Sequence, residues 1–212
     1  MSSQNKIEGF RLSPQQRHLW SLQQVSRSHT YQVVATISIN GNLSTEILER
    51  AFADVVRTHE ILRTTFQRPP AIKTPFQVIS EAAEFSWQFR DLTDLDQEAG
   101  LNKLENCFLA ERAKPFDFGR GPLLRTSFFK LSPEHHILLI SLPALCGDSV
   151  TILNLMSELG RAYALVLHGG EFLDEPMQYA DFAEWHNELL QGSDEHAEQG
   201  RNFWNDLKRG LS

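Results

Sequence analysis

His135-His136-Ile137-Leu138-Leu139-Ile140-Ser141-Leu142-Pro143-Ala144-Leu145-Cys146-Gly147-Asp148-Ser149 passes from an apolar run, through a short break, into an amphipathic helix. Residues 136–142 are almost wholly apolar, the pattern of a strand covered on both faces, which predicts a central position in its sheet. Asp148 stands directly before an apolar-periodic segment and predicts an N-cap. Ile152, Leu155, Leu159 and Tyr163 then recur on one helical face. On these residues alone, 143–149 is a strand-to-helix turn.

Upstream, 123–131 reads as the partner strand, joined through the Ser132-Pro133-Glu134 turn. Its approach, from Pro115-Phe116-Asp117-Phe118-Gly119-Arg120-Gly121-Pro122, is irregular by composition. Ser13 as N-cap, Pro14 at the first helical position and Gln16 completing a capping box start a helix running to about Gln24. Residues 31–39 alternate with period two, as a strand does, and Asn40-Gly41-Asn42 ends them. From Ser44 a helix follows, with Leu43 and Leu48 as a hydrophobic staple and Leu48, Phe52, Val55 and Val56 as its apolar stripe, ending near His59. Residues 61–66 and 76–79 read as a hairpin around Pro69-Pro70. Asp94, three residues before Gln97, caps a helix that carries Leu101, Leu104, Phe108 and Leu109 and stops at Pro115.

Beyond Gly169-Gly170 the chain changes to two short amphipathic helices, one with Phe182, Trp185 and Leu189, the other with Phe203, Trp204 and Leu207, which together read as a docking arm. Trp20, Trp185 and Trp204 sit on apolar helical faces and are assigned to core or interface packing. Helices and strands mixed in this order predict an α/β, layered α+β domain in which a mixed sheet packs against helices, with a C-terminal helical arm.

Composition narrows the functional classes. The 212 residues, 41% hydrophobic, can bury one substantial core. A formal net charge of -7 with no basic stripe argues against nucleic acid. The apolar run at 137–142 is far shorter than the roughly 20 residues of a membrane span, and the first residues lack a secretory pattern, so the expectation is a cytoplasmic protein with no membrane partner. Cys107 and Cys146 lack metal-site spacing and read as small buried hydrophobes, and no metal site is expected. No G-x-S-x-G, G-x-x-x-x-G-K-[ST] or H-E-x-x-H occurs, and His186 and His196 stand ten apart, too far for a metal pair on one helical turn. Cys146 has no base near it in sequence that would generate a thiolate.

Several segments, in order, resemble the condensation domains of nonribosomal peptide synthetases. Leu12-Ser13-Pro14-Gln15-Gln16-Arg17-His18-Leu19-Trp20 resembles the family's opening S-x-A-Q-x-R-L-W helix, and His59-Glu60-Ile61-Leu62-Arg63-Thr64-Thr65-Phe66 its R-H-E-x-L-R-T-x-F motif. Pro115-Phe116-Asp117 with Gly121-Pro122-Leu123-Leu124-Arg125 is similar to P-F-D-L-x-x-G-P-L-L-R, and Tyr179-Ala180-Asp181-Phe182-Ala183-Glu184-Trp185 to Y-x-D-F-A-x-W. Phe203-Trp204-Asn205-Asp206-Leu207 resembles the helix where that family's first lobe gives way to its second. The resemblance implies one lobe of the two-lobed chloramphenicol acetyltransferase-like fold, at 1–168, and an arm at 169–212 leading to a second lobe or a neighbouring domain.

What the resemblance implies about chemistry centres on H-H-x-x-x-D-G, whose second histidine assists amide formation between two thioesters carried on phosphopantetheine arms. Alignment through the following helix puts Pro143 and Ala144 at the two histidines, Asp148 at the aspartate and Ser149 at the glycine. A methyl group neither accepts a proton nor donates a hydrogen bond, so no catalytic residue is assigned and the family's reaction is expected to be absent or severely impaired. Whether the lobe is an enzyme stays open. His135-His136 fails as a displaced pair, because Ile140 stands where the aspartate is needed and the two begin the strand instead of ending it; they read as partly exposed residues at the turn.

Asp148 reads as a cap, to which the resemblance adds a salt bridge with Arg63, a residue that reads equally as a solvated strand position. The family's arginine before His-Glu is Thr58 here, with Arg57 one residue earlier. The implied partners are adjacent synthetase domains, adenylation and carrier, or a second condensation lobe, and no cofactor is held directly. With its first motif close to Met1, the chain reads as a non-catalytic, structural or recruiting module at the start of a synthetase; the alternative is a fragment or half of an amide-forming enzyme.

Overall fold

The computed structural model describes residues 9–25, 31–70, 72–172 and 175–192. Strand β1 (Phe10–Arg11) leads into α1 (Pro14–Val25), β2 (Gln32–Asn40) and α2 (Thr45–Thr58); a 3₁₀ turn (Glu60–Arg63) precedes β3 (Thr64–Gln67) and β4 (Phe76–Ile79). Then come β5 (Ser86–Asp91), α3 (Gln97–Ala113), β6 (Arg125–Ser132), β7 (His135–Pro143), α4 (Ser149–Leu167) and α5 (Tyr179–Gln191). The strands form two sheets, β1-β4-β3 and β2-β7-β6-β5. In the larger sheet β5 runs parallel to β6 and the other pairs are antiparallel. β7 lies between β2 and β6, as its apolar run requires, with Ile140 and Leu142 fully buried.

One face of the large sheet is covered by α2 and α4. Phe52, Val55 and Val56 of α2 and Ile152, Leu155 and Leu159 of α4 share one core with Phe128, Leu138 and Ile140. α4 has the length and apolar content of a membrane span, but its Ile152–Leu159 stripe is spent on this core. Leu104 and Phe108 of α3 pack with Leu92, Phe129 and Leu139 in a smaller cluster. The capping readings at Ser13 and Ser44 hold: Ser13 N–H donates to Gln16 Oε1 at 3.0 Å, Gln16 N–H to Ser13 Oγ at 3.2 Å, and Ile47 N–H to Ser44 Oγ at 3.3 Å.

Four local readings are corrected. Helix α3 is capped by Asp96, not Asp94, with Ala99 N–H donating to Asp96 Oδ1 at 2.8 Å. Asp91 has already taken Thr93 N–H and O–H into a turn, and Leu95 N–H bonds to Leu92 O, so the chain cannot enter the helix earlier. Leu101 and Leu109 are consequently more than half exposed. Residues 60–63 form a 3₁₀ turn where a strand was expected, because Leu62 N–H closes on His59 O and Thr64 Oγ1 donates to Glu60 O at 2.7 Å. Strand β5, for which no element was assigned, is short and ends in Arg90 and Asp91; its pairing to β6 across α3 identifies it. Finally, His136 is 1% exposed and stacks on Phe128 at 5.4 Å, so it is a core residue. His136 alternates onto the same face of β7 as Leu138 and Ile140, which lie in the main core with Phe128, whereas His135 points to the other face and stays partly exposed.

Buried polar contacts tie the N-terminal segment to the rest. Gln16 Nε2 donates to Gln77 Oε1 at 3.1 Å and to Leu145 O at 2.9 Å, and Gln77 Nε2 donates to Arg11 O at 3.0 Å. α5 is held on the same elements by the Arg11–Glu184 ion pair, the Ser13–Tyr179 hydroxyl contact and buried Asn187, which bonds Leu12 O and Arg17. Trp185 lies on the other side of α5, 58% exposed, and Trp204 lies outside the described residues.

Two outcomes follow. Gln16→Ala leaves the buried Ser13 N–H, Gln77 Oε1 and Leu145 carbonyl without their partner and is expected to lower stability by about 1–3 kcal/mol in urea unfolding. Burial, then the charge of Lys130, then His135, hold the His136 imidazole below its ordinary value of 6.5. The unfolded chain then binds the proton more readily than the folded one, so stability is highest above pH 6.5 and falls as pH drops below it. Unfolding midpoints across this range should show that slope, and His136→Phe should flatten it.

Candidate functional site

At the C-terminal end of β7 the chain turns through 143–149 into α4. Pro143 is buried and paired across from Gln32, and Ala144 is half-buried. The turn is built from main-chain bonds: Ala144 N–H donates to Tyr31 O at 3.0 Å, Cys146 N–H to Pro143 O at 2.8 Å, and Leu145 O accepts from Gln16. Leu145 and Cys146 point into the core. Complete burial pushes the Cys146 thiol well above its ordinary value, which removes it as a nucleophile.

Asp148 caps α4. Thr151 N–H donates to Asp148 Oδ1 at 2.9 Å, and Asp148 N–H donates back to Thr151 Oγ1 at 3.1 Å, a reciprocal capping box. The Thr151 N–H, chiefly, holds the carboxyl below the usual carboxylate range. Gly147 fits against this cap closely: a Cβ there would lie 2.6 Å from Thr151 Cγ2 and 2.8 Å from its Oγ1. Ser149 begins the helix and is exposed.

The Arg63–Asp148 salt bridge is not formed. Arg63 donates to Ser80 O and pairs with Glu60 at 3.5 Å, because the 3₁₀ turn aims its side chain along β4, while Asp148 is occupied by Thr151. The buried cation near this end of the sheet is Arg125, which pairs with Glu111 at 2.7 Å, donates to the carbonyls of Lys114 and Pro115, and lies 3.6 Å from the Phe116 ring centroid. His59 lines a cleft that adjoins the α4 cap through Thr151, with Ile61, Leu62, Asn154, Leu155 and Glu158, its Nε2 3.9 Å from Glu158 Oε2. Sequence reasoning gave Gln16 only a capping role, and its grip on Leu145 O had no signal in the spacing of residues 129 apart. Among the described residues no cluster of three or more potential metal ligands occurs.

This strand, turn and capped helix are the segment onto which the resemblance aligns H-H-x-x-x-D-G, with Pro143 and Ala144 at its head. Comparison with known proteins gives the family: the condensation-domain model matches residues 7–212. The chain belongs to the condensation-domain family. It is 33% identical over 199 residues to a linear gramicidin synthase from Brevibacillus parabrevis, covering 91% of this chain and 2% of that protein. It is 31% identical over 195 residues to tyrocidine synthase 3 from the same organism, covering 92% and 3%. The starter condensation domain of rhizomide synthetase superposes with a TM-score of 0.83 at 18% identity, covering 97% of this chain and 49% of that one. An X-domain from teicoplanin biosynthesis, solved in complex with OxyB, gives a TM-score of 0.72 at 26% identity, covering 94% and 43%. The chain thus spans about half of these solved condensation structures and a small part of the synthetases.

Two measurements check this condensation-family turn. Gly147→Ala is expected to destabilise the fold by about 1–3 kcal/mol, since the capping box holds Thr151 where the new methyl must go. A maleimide reagent should leave Cys146 unmodified in the folded protein and label it once the chain is unfolded in urea.

Proposed function

We propose that this chain is a condensation-family lobe of a nonribosomal peptide synthetase that has lost the family's imidazole chemistry and works as a structural or recruiting platform beside an adenylation domain. One observation supports this reading: the strand, turn and capped helix are built as a firm frame, and where the resemblance aligns the two histidines the chain carries Pro143 and Ala144. A pyrrolidine ring and a methyl group cannot move a proton or steady an oxyanion. Cys146 is buried among Leu145 and the core, and Asp148 is bound to its own helix. The similar X-domain that was solved in complex with OxyB supports recruitment as work such a fold can do.

On this reading the protein acts in the cytoplasm with neighbouring adenylation and carrier domains, holds no cofactor of its own, and meets phosphopantetheine only on partner carriers. The competing reading, half of an amide-forming enzyme, draws on the chain spanning about half of the solved condensation structures.

A condensation assay with donor and acceptor thioesters on carrier proteins, run on the polypeptide that contains this lobe, separates the two. No amide product is expected, while affinity for the adenylation domain persists when Ala144 is changed to His. Amide product from the unchanged chain, lost on truncation of the lobe, would show that it catalyses after all.

A further inference from the structure

Strand β2 forms one edge of the large sheet, and among the described residues no strand pairs with its outer side. The direction of its backbone can be read from its bonds. Tyr31 O accepts from Ala144, and Gly41 N–H donates to Glu134 O, so the odd-numbered residues face β7. Pro143, which has no N–H, stands opposite Gln32, in agreement. The N–H and C=O groups of Val34, Thr36 and Ser38 therefore point away from the sheet.

This edge lacks the usual defences. Over nine residues β2 carries no charged side chain, no proline and no bulge. The opposite edge, β5, is six residues long and ends in Arg90 and Asp91. Along β2, Val33, Ala35, Ile37 and Ile39 pack on the main core yet remain half-buried, with one flank uncovered.

The strand is also complementary to itself. Antiparallel pairing about a two-fold axis at Thr36 sets Val33 opposite Ile39 and Ala35 opposite Ile37, so aliphatic flank meets aliphatic flank. On the other face it sets Val34 opposite Ser38 and Thr36 opposite Thr36. No like charges meet, and every outward donor finds an acceptor. We propose that β2 pairs antiparallel with β2 of a second copy of this chain, joining two four-stranded sheets into one.

Light scattering coupled to gel filtration over a wide concentration range, with amide exchange, tests this. The expected result is a concentration-dependent dimer in which the Val34, Thr36 and Ser38 amides exchange slowly and become fast on dilution. Thr36→Pro removes only an outward donor, and Thr36→Lys leaves the backbone intact while placing two cations at the axis. Both should give a monomer whose unfolding midpoint matches that of the unchanged chain at dilutions where it is monomeric, and Thr36→Lys carries the test if the proline variant does not fold. A monomer at all concentrations overturns the proposal, as does a dimer indifferent to Thr36→Lys. Slow exchange of these amides in a monomer also overturns it, since the chain's own residues would then cover the edge.

Discussion

The carboxamide of Gln16 is where the parts of this lobe are joined. Its oxygen accepts Ser13 N–H, and its nitrogen donates to Gln77 and to the carbonyl of Leu145, all with the side chain 2% exposed. One residue thereby starts α1, binds the small sheet and holds the turn that follows the central strand. A buried amide is tolerated only when its bonds are made, so these three placements are conditional on one another. α5 is drawn into the same node through Ser13, Leu12 and Arg11.

This arrangement also accounts for the shape of the turn after β7. The bonds that hold 143–149 are contributed by Tyr31, Gln16 and the turn's own main chain, and its exit is capped by Asp148 and Thr151. None of these needs a particular side chain at 143 or 144. Gly147, pressed against Thr151, has no such freedom.

The elements legible in the sequence were those whose signals are local. Ser13, Ser44 and Asp148 capped the helices they precede, and the apolar run of β7 declared its central place. The misread places were those where a competing contact, absent from the local pattern, took precedence. Asp91 captured Thr93 and delayed α3 to Asp96; Thr64 closed on Glu60 and made a 3₁₀ turn of an expected strand. His136, polar and near a turn, was buried because it alternates onto the face of β7 that carries the main core, against Phe128.

Order and composition alone thus determined the layered α/β class, the starts of α1, α2 and α4 and the central strand, because caps and periodicity act within a few residues. Tertiary structure alone decided that Arg63 turns to Glu60 and Ser80 instead of Asp148, that Gln16 grips Leu145, and that among the described residues no strand pairs with the outer side of β2. Those outcomes depend on which distant groups share a desolvated space, and a buried polar group takes the partner that the fold brings within reach.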